Sequence, residues 1–129
     1  MPELIHTCYR VYDVDSSIAF NEKLGMKELR RLPIGDEAVN VFMGFEEDGP
    51  RLELTYNFDQ EEPYEIGTGY GHVAITVADM DGALEGLAAD GISPEKPPYT
   101  VSEGGSRLCF VRDPDGYRVE LIERDPGKE

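Results

Sequence analysis

Apolar and polar residues change rhythm along this chain, from a period of two to a period near 3.6 and back, and the series of changes occurs twice. Alternation over residues 4–12 predicts a strand. A helix follows, with Asp15 or Ser16 near its start and Ile18, Phe20 and Leu24 on its apolar side. Gly25 suits a left-handed cap at its end. Three more strands are predicted over about 27–32, 38–45 and 51–58. Residues 61–69 are acidic, carry Pro63 and two glycines, and read as a linker. The order then repeats: a strand over 71–78, and a helix over about 79–90 lined by Met80, Ala83, Leu84, Leu87 and Ala88 and ended by Gly91. Strands over 98–101, 107–112 and 118–123 complete it. The expectation is an α+β chain, 1–129, forming one domain of two βαβββ modules, about 1–60 and 70–125.

The repetition extends to individual residues. His6 and His72, Asp13 and Asp79, Asp15 and Asp81, and Gly25 and Gly91 are each 66 apart. Asp48 and Asp115, Arg51 and Arg118, and Glu53 and Glu120 are each 67 apart. One residue of slippage between Met26 and Asp48 accounts for the change. Asp48-Gly49 and Asp115-Gly116 are turn signals at matching places. A duplicated fold relates such residues by a pseudo-two-fold axis, so two imidazoles and two carboxylates are able to converge on one metal ion.

Strand alternation fixes which side chains share a face. His6 goes with Cys8 and Arg10, and Glu53 with Arg51, Thr55 and Asn57. His72 goes with Ala74 and Thr76, and Glu120 with Arg118 and Ile122. The opposite faces carry Ile5, Val11, Leu52, Leu54, Tyr56, Val73, Ile75, Val77, Val119 and Leu121, and are expected to pack on the helices. One greasy face and one face of His, Glu, Arg and Asn describe a curved cavity wall. Asp13, Asp15, Asp79 and Asp81 are read as helix caps and first-turn acids rather than calcium ligands. Cys8 is read as a packing residue, because no His is placed to activate it.

Composition narrows the partners. A formal charge of −15 excludes nucleic acid, whose phosphates repel such a surface. No segment approaches the ~18–20 apolar residues of a membrane helix, and the first residues lack the pattern of a signal peptide. A cytoplasmic protein with two free thiols, Cys8 and Cys109, is expected. Four Lys against eight Arg on an acidic chain also fit salt adaptation, and fit an ordinary acidic enzyme equally well.

Several segments together carry a family resemblance that spans nearly the whole chain. They are His6-Thr7 with Arg10-Val11, Ser17-Ile-Ala-Phe20, Leu24-Gly-Met26, Leu52-Glu-Leu-Thr-Tyr-Asn57, Gly67-Thr-Gly-Tyr-Gly-His-Val-Ala74, Phe110-Val-Arg-Asp-Pro-Asp-Gly-Tyr117 and Val119-Glu-Leu-Ile122. The chain resembles the vicinal-oxygen-chelate superfamily, with its glyoxalase/bleomycin-resistance/dihydroxybiphenyl dioxygenase fold of βαβββ modules in a curved mixed sheet. Within it, the chain resembles the glyoxalase I (lactoylglutathione lyase) family. The resemblance implies that His6, Glu53, His72 and Glu120 bind one divalent metal per site. It also implies the nickel/cobalt branch, with zinc the alternative, and an N₂O₂ set with two waters suits Ni²⁺ or Co²⁺. The implied substrate is the hemithioacetal of methylglyoxal and a small thiol, glutathione or γ-glutamylcysteine. Glu120 is the implied main base and Glu53 its counterpart. Arg10 and Asn57 are the implied holders of the γ-glutamyl end, and their fork and amide suit that task on physical grounds. The implied assembly is a homodimer with both sites at the interface.

Two positions depart from the family pattern. Ser102-Glu103 stands where the family offers a Lys to the glycyl carboxylate of glutathione. A glutamate there repels that group, which favours a thiol without it or one held by Arg107. Phe20-Asn-Glu-Lys-Leu24-Gly25 is one residue shorter than the usual helix end, which bears on pocket shape rather than on the metal. Rival readings are an extradiol dioxygenase, which Glu53 opposes, an epimerase, which leaves Arg10 and Asn57 without purpose, and a metal-free binding protein, which would lack the ligand set.

Overall fold

The computed structural model describes residues 1–124. The chain divides into two compact units, Met1–Glu65 and Ile66 onward.

In the first unit β1 (His6–Arg10) leads to α1 (Val14–Lys23), then β2 (Lys27–Ile34), β3 (Ala38–Gly44) and β4 (Arg51–Asn57). The sheet order is β1-β4-β3-β2. β1 pairs parallel with β4, placing His6 opposite Arg51 and Cys8 opposite Glu53. β3 pairs antiparallel with β4, placing Phe42 opposite Glu53 and Asn40 opposite Thr55. The helix begins at Val14, one residue before Asp15, and Asp13 is its N-cap: its Oδ1 accepts from the Ser16 N–H at 3.3 Å. Gly25, at φ 98°, turns the chain out of the helix as expected.

In the second unit β5 (Val73–Val77) leads to α2 (Met80–Ala88), then β6 (Leu108–Arg112) and β7 (Arg118–Glu123), in the order β5-β7-β6. β5 runs parallel to β7 and β6 antiparallel to it, so Ala74 and Phe110 both lie opposite Glu120. Asp79 caps α2 as Asp13 caps α1, accepting from the Gly82 N–H at 3.1 Å. Glu123 on β7 adds a second acceptor for that helix end, taking the Met80 N–H at 2.8 Å.

Two expectations are corrected. The strand over 98–101 is absent as a strand and survives as a single bridge between Tyr99 and Leu108. Pro98 lacks an N–H and Pro97 precedes it, so a ladder cannot be extended back from the Tyr99 bridge. The first strand is shorter than 4–12, and Ile5 is 59% exposed rather than packed on a helix. The strands form two mixed sheets, one per unit, in keeping with the expected α+β class.

The other inward faces pack as the alternation implies. Val11, Leu52, Leu54, Ile75, Val77, Val119 and Leu121 are buried, together with Phe20, Met43, Met80 and Leu87. Each fully buried Leu or Val contributes roughly 1.5–3 kcal/mol relative to exposure. Both helices thereby hold one face of their own sheet, which leaves the other face to the polar rows.

Candidate metal centre

Each unit brings one imidazole to one carboxylate: His6 opens β1 beside Glu53 of β4, and His72 stands one residue before β5, beside Glu120 of β7. In the first unit His6 Nε2 lies 3.1 Å from Glu53 Oε1. In the second unit His72 Nε2 lies 3.1 Å from Glu120 Oε1. The two half-sites have the same distance, the same atoms and near-identical exposure, 36% and 13% for His6 and Glu53 against 39% and 16% for His72 and Glu120. Each carboxylate is shielded, and each imidazole still reaches solvent. An imidazole nitrogen and a carboxylate oxygen this close are a donor pair that a divalent cation would accept.

A phenylalanine stands beside each imidazole. The His6 and Phe42 rings are 5.7 Å apart at 72°, and the His72 and Phe110 rings 5.1 Å apart at 80°. Such near-perpendicular contacts restrict ring rotation. Sequence reading missed both residues in this role. Phe42 and Phe110 are 68 apart, one more than the offset of the turns and carboxylates, so a second slip hides them.

The remaining predicted groups extend the polar row of the first unit. Cys8 Sγ lies 3.3 Å from Thr55 Oγ1, and Thr55 donates to Asn40 Oδ1 at 2.8 Å. Burial pushes the Cys8 thiol up, and the charge of Glu53 adds to the effect. Arg10 closes β1 opposite Thr55 on the same face. Asn57 ends β4, and its amide donates to Tyr64 Oη at 2.9 Å. Tyr64 was read only as part of a linker; here it orients a predicted binding residue. Beside His6 a cavity of about 370 Å³ is lined by Ile5, Arg30, Phe42 and Arg51 among others. Arg107 is engaged elsewhere: its guanidinium meets Glu123 at 3.0 Å and Asp81 at 3.4 Å. Both cysteines are free.

Among the described residues no group of three or more His, Cys, Asp or Glu gathers as a metal cluster. The polar ligands occur as two pairs, each held within its own unit.

A family model described as the glyoxalase/bleomycin resistance protein/dioxygenase superfamily matches residues 3–121. The chain belongs to this superfamily. Among its relatives, lactoylglutathione lyase of Haemophilus influenzae is 38% identical over 98% of this chain and 96% of that protein. A lactoylglutathione lyase of Arabidopsis thaliana is 44% identical over 97% of this chain but 45% of that protein. The crystal structure of glyoxalase I from Zea mays superposes with a TM-score of 0.85 at 38% identity, covering 95% of this chain and 44% of that one. The chain therefore spans less than half the length of the plant relatives it matches. The superfamily's α+β architecture is the one described above. No helix among the described residues is long and apolar enough to cross a membrane.

Proposed function

We propose that the chain is a metal-dependent glyoxalase I, isomerising the hemithioacetal of a 2-oxoaldehyde such as methylglyoxal to the S-lactoyl thioester. The observation that carries this reading is the matched pair of half-sites, each an imidazole nitrogen 3.1 Å from a carboxylate oxygen. His6, Glu53, His72 and Glu120 hold one divalent cation when a half-site from each unit meets. The relatives named lactoylglutathione lyase and glyoxalase I support the choice of reaction. Two nitrogens and two oxygens favour Ni²⁺ or Co²⁺ over the four-coordinate preference of structural zinc. The family resemblance supports placing the complete centre at the interface of a homodimer, with two such centres per pair.

A cation bound there would stabilise the negative charge that develops on the substrate oxygens as C1 loses its proton. The rest falls to the protein. Glu120 takes the proton from C1 through a carboxylate oxygen and returns it to C2. Glu53, the carboxylate of the other half-site, serves the opposite enantiomer. Phe42 and Phe110 hold the imidazoles in place. Arg10 offers a planar fork to the α-carboxylate of a γ-glutamyl group, and Asn57, oriented by Tyr64, both donates to and accepts from it.

The thiol is a tripeptide or its dipeptide fragment. Glu103 carries the wrong sign for a glycyl carboxylate, and Arg107 is already bound to Glu123 and Asp81. γ-Glutamylcysteine is therefore favoured over glutathione. Parallel assays with both hemithioacetals decide this, and a strong preference for glutathione rejects it.

Glu120→Gln tests the assignment of the base. The amide oxygen still faces the cation while proton transfer ends. The variant is expected to retain most metal and lose at least ~10²-fold in turnover. Wild-type turnover in a metal-loaded variant would contradict the role.

A further inference from the structure

The duplicated half-sites differ in one respect. In the second unit Arg118 lies two residues before Glu120 on β7, and its guanidinium lies 3.9 Å over the face of Phe110, the ring that meets His72. Glu95 fixes it there through a two-point contact, from Arg118 Nε to Glu95 Oε2 at 3.0 Å and from Nη2 to Oε1 at 2.8 Å. Glu95 is itself tied to β6, since its backbone N–H donates to the Phe110 carbonyl at 2.8 Å. It also meets Arg112 Nε at 3.2 Å. Arg112 and Arg118 are cross-strand partners, so two like charges would face one another without the carboxylate between them.

The first unit has no such brace. Arg51, the repeat counterpart of Arg118, turns to the backbone carbonyl of Glu47. Glu28, the acidic residue early in β2, is taken by Arg31, with contacts of 2.9 Å to both of its oxygens. Where the second unit has a stacked guanidinium, the first has the cavity bordered by Arg30, Phe42 and Arg51.

We propose that Glu95 is a positioning residue for His72, acting through Arg118 and Phe110, so that the second unit supplies the fixed half of the metal centre. Planarity matters to the arrangement: an arginine lays its flat guanidinium on an aromatic face while donating two parallel N–H bonds to one carboxylate, a geometry a lysine's ammonium cannot reproduce. Groups that orient a metal-binding imidazole from outside the ligand set strongly affect metal affinity. The proposal rests on the metal-centre reading for its purpose, but not for its first readout.

The whole chain contains two histidines, so imidazole ¹H–¹⁵N spectra of the metal-free protein hold two ring signals, assigned with His72→Gln. Glu95→Ala and Arg118→Lys change solvent-facing side chains and leave the fold in place. In both variants the His72 ring signals are expected to shift and broaden while those of His6 stay, and Ni²⁺ affinity to fall roughly ten- to a hundredfold. Unchanged imidazole spectra together with unchanged Ni²⁺ affinity overturn the proposal, whatever happens to the melting temperature. If the wild-type protein takes up no Ni²⁺, the metal-centre reading fails, and the imidazole spectra still decide whether Glu95 holds His72.

Discussion

At Asp113 the two oxygens of one carboxylate have opposite surroundings. Oδ1 accepts from the backbone N–H groups of Asp115 and Tyr117, each at 2.9 Å, and so shapes the turn between β6 and β7. Oδ2 is buried with no hydrogen-bond partner. Burial dominates, and the carboxyl is pushed up to about 6. The sign follows: the folded state prefers the protonated acid, so this group favours folding at low pH and that preference fades as pH rises from about 4 to about 6. Its ionised form then costs about 3 kcal/mol at neutral pH. Asp113→Asn keeps the Oδ1 acceptor and abolishes the titration. Urea midpoints measured from pH 4 to pH 7 should fall relative to the variant in the wild type, and parallel curves would contradict the account. This role lay outside what the sequence showed, because a turn aspartate and an orphaned oxygen read alike until the chain is folded. The two imidazole–carboxylate pairs were legible, because a duplicated spacing marks them. Their phenylalanine neighbours were not, because the second one-residue slip breaks the offset.

At the level of elements, local signals succeeded wherever one interaction settles the outcome. Asp13 and Asp79 both cap their helices, and Asp79→Ala should cost about 1 kcal/mol, read as a lowered thermal midpoint. α2 has a second anchor in Glu123, which also grips Arg107. That contact across β6, β7 and α2 joins residues far apart in sequence, so no local pattern announces it. Leu54 is fully buried between sheet and helix, and Leu54→Ala should destabilise by about 2–5 kcal/mol. Ile34, exposed at the end of β2, should tolerate the same change within about 0.5 kcal/mol. The lost strand over 98–101 shows the limit of pattern reading: Tyr99 and Val101 alternate properly, but Pro98 lacks an N–H and Pro97 precedes it, so no ladder extends back from Tyr99.

For the whole molecule, the proposed function requires one centre built from two half-sites. A single-chain site and a site shared across a dimer make different predictions when inactive chains are mixed. His6→Gln and His72→Gln should each be inactive alone. In a shared arrangement their mixed dimer brings an intact first unit to an intact second unit. Random mixing should then restore about a quarter of wild-type activity, and no recovery would place each centre within one chain.

Metal stoichiometry reaches the central claim most directly. The wild-type protein should bind one Ni²⁺ or Co²⁺ per chain, and both His6→Gln and His72→Gln should lose it. Two ions per chain, or one ion that survives the loss of either imidazole, would show that the pairs work separately and that no shared centre forms.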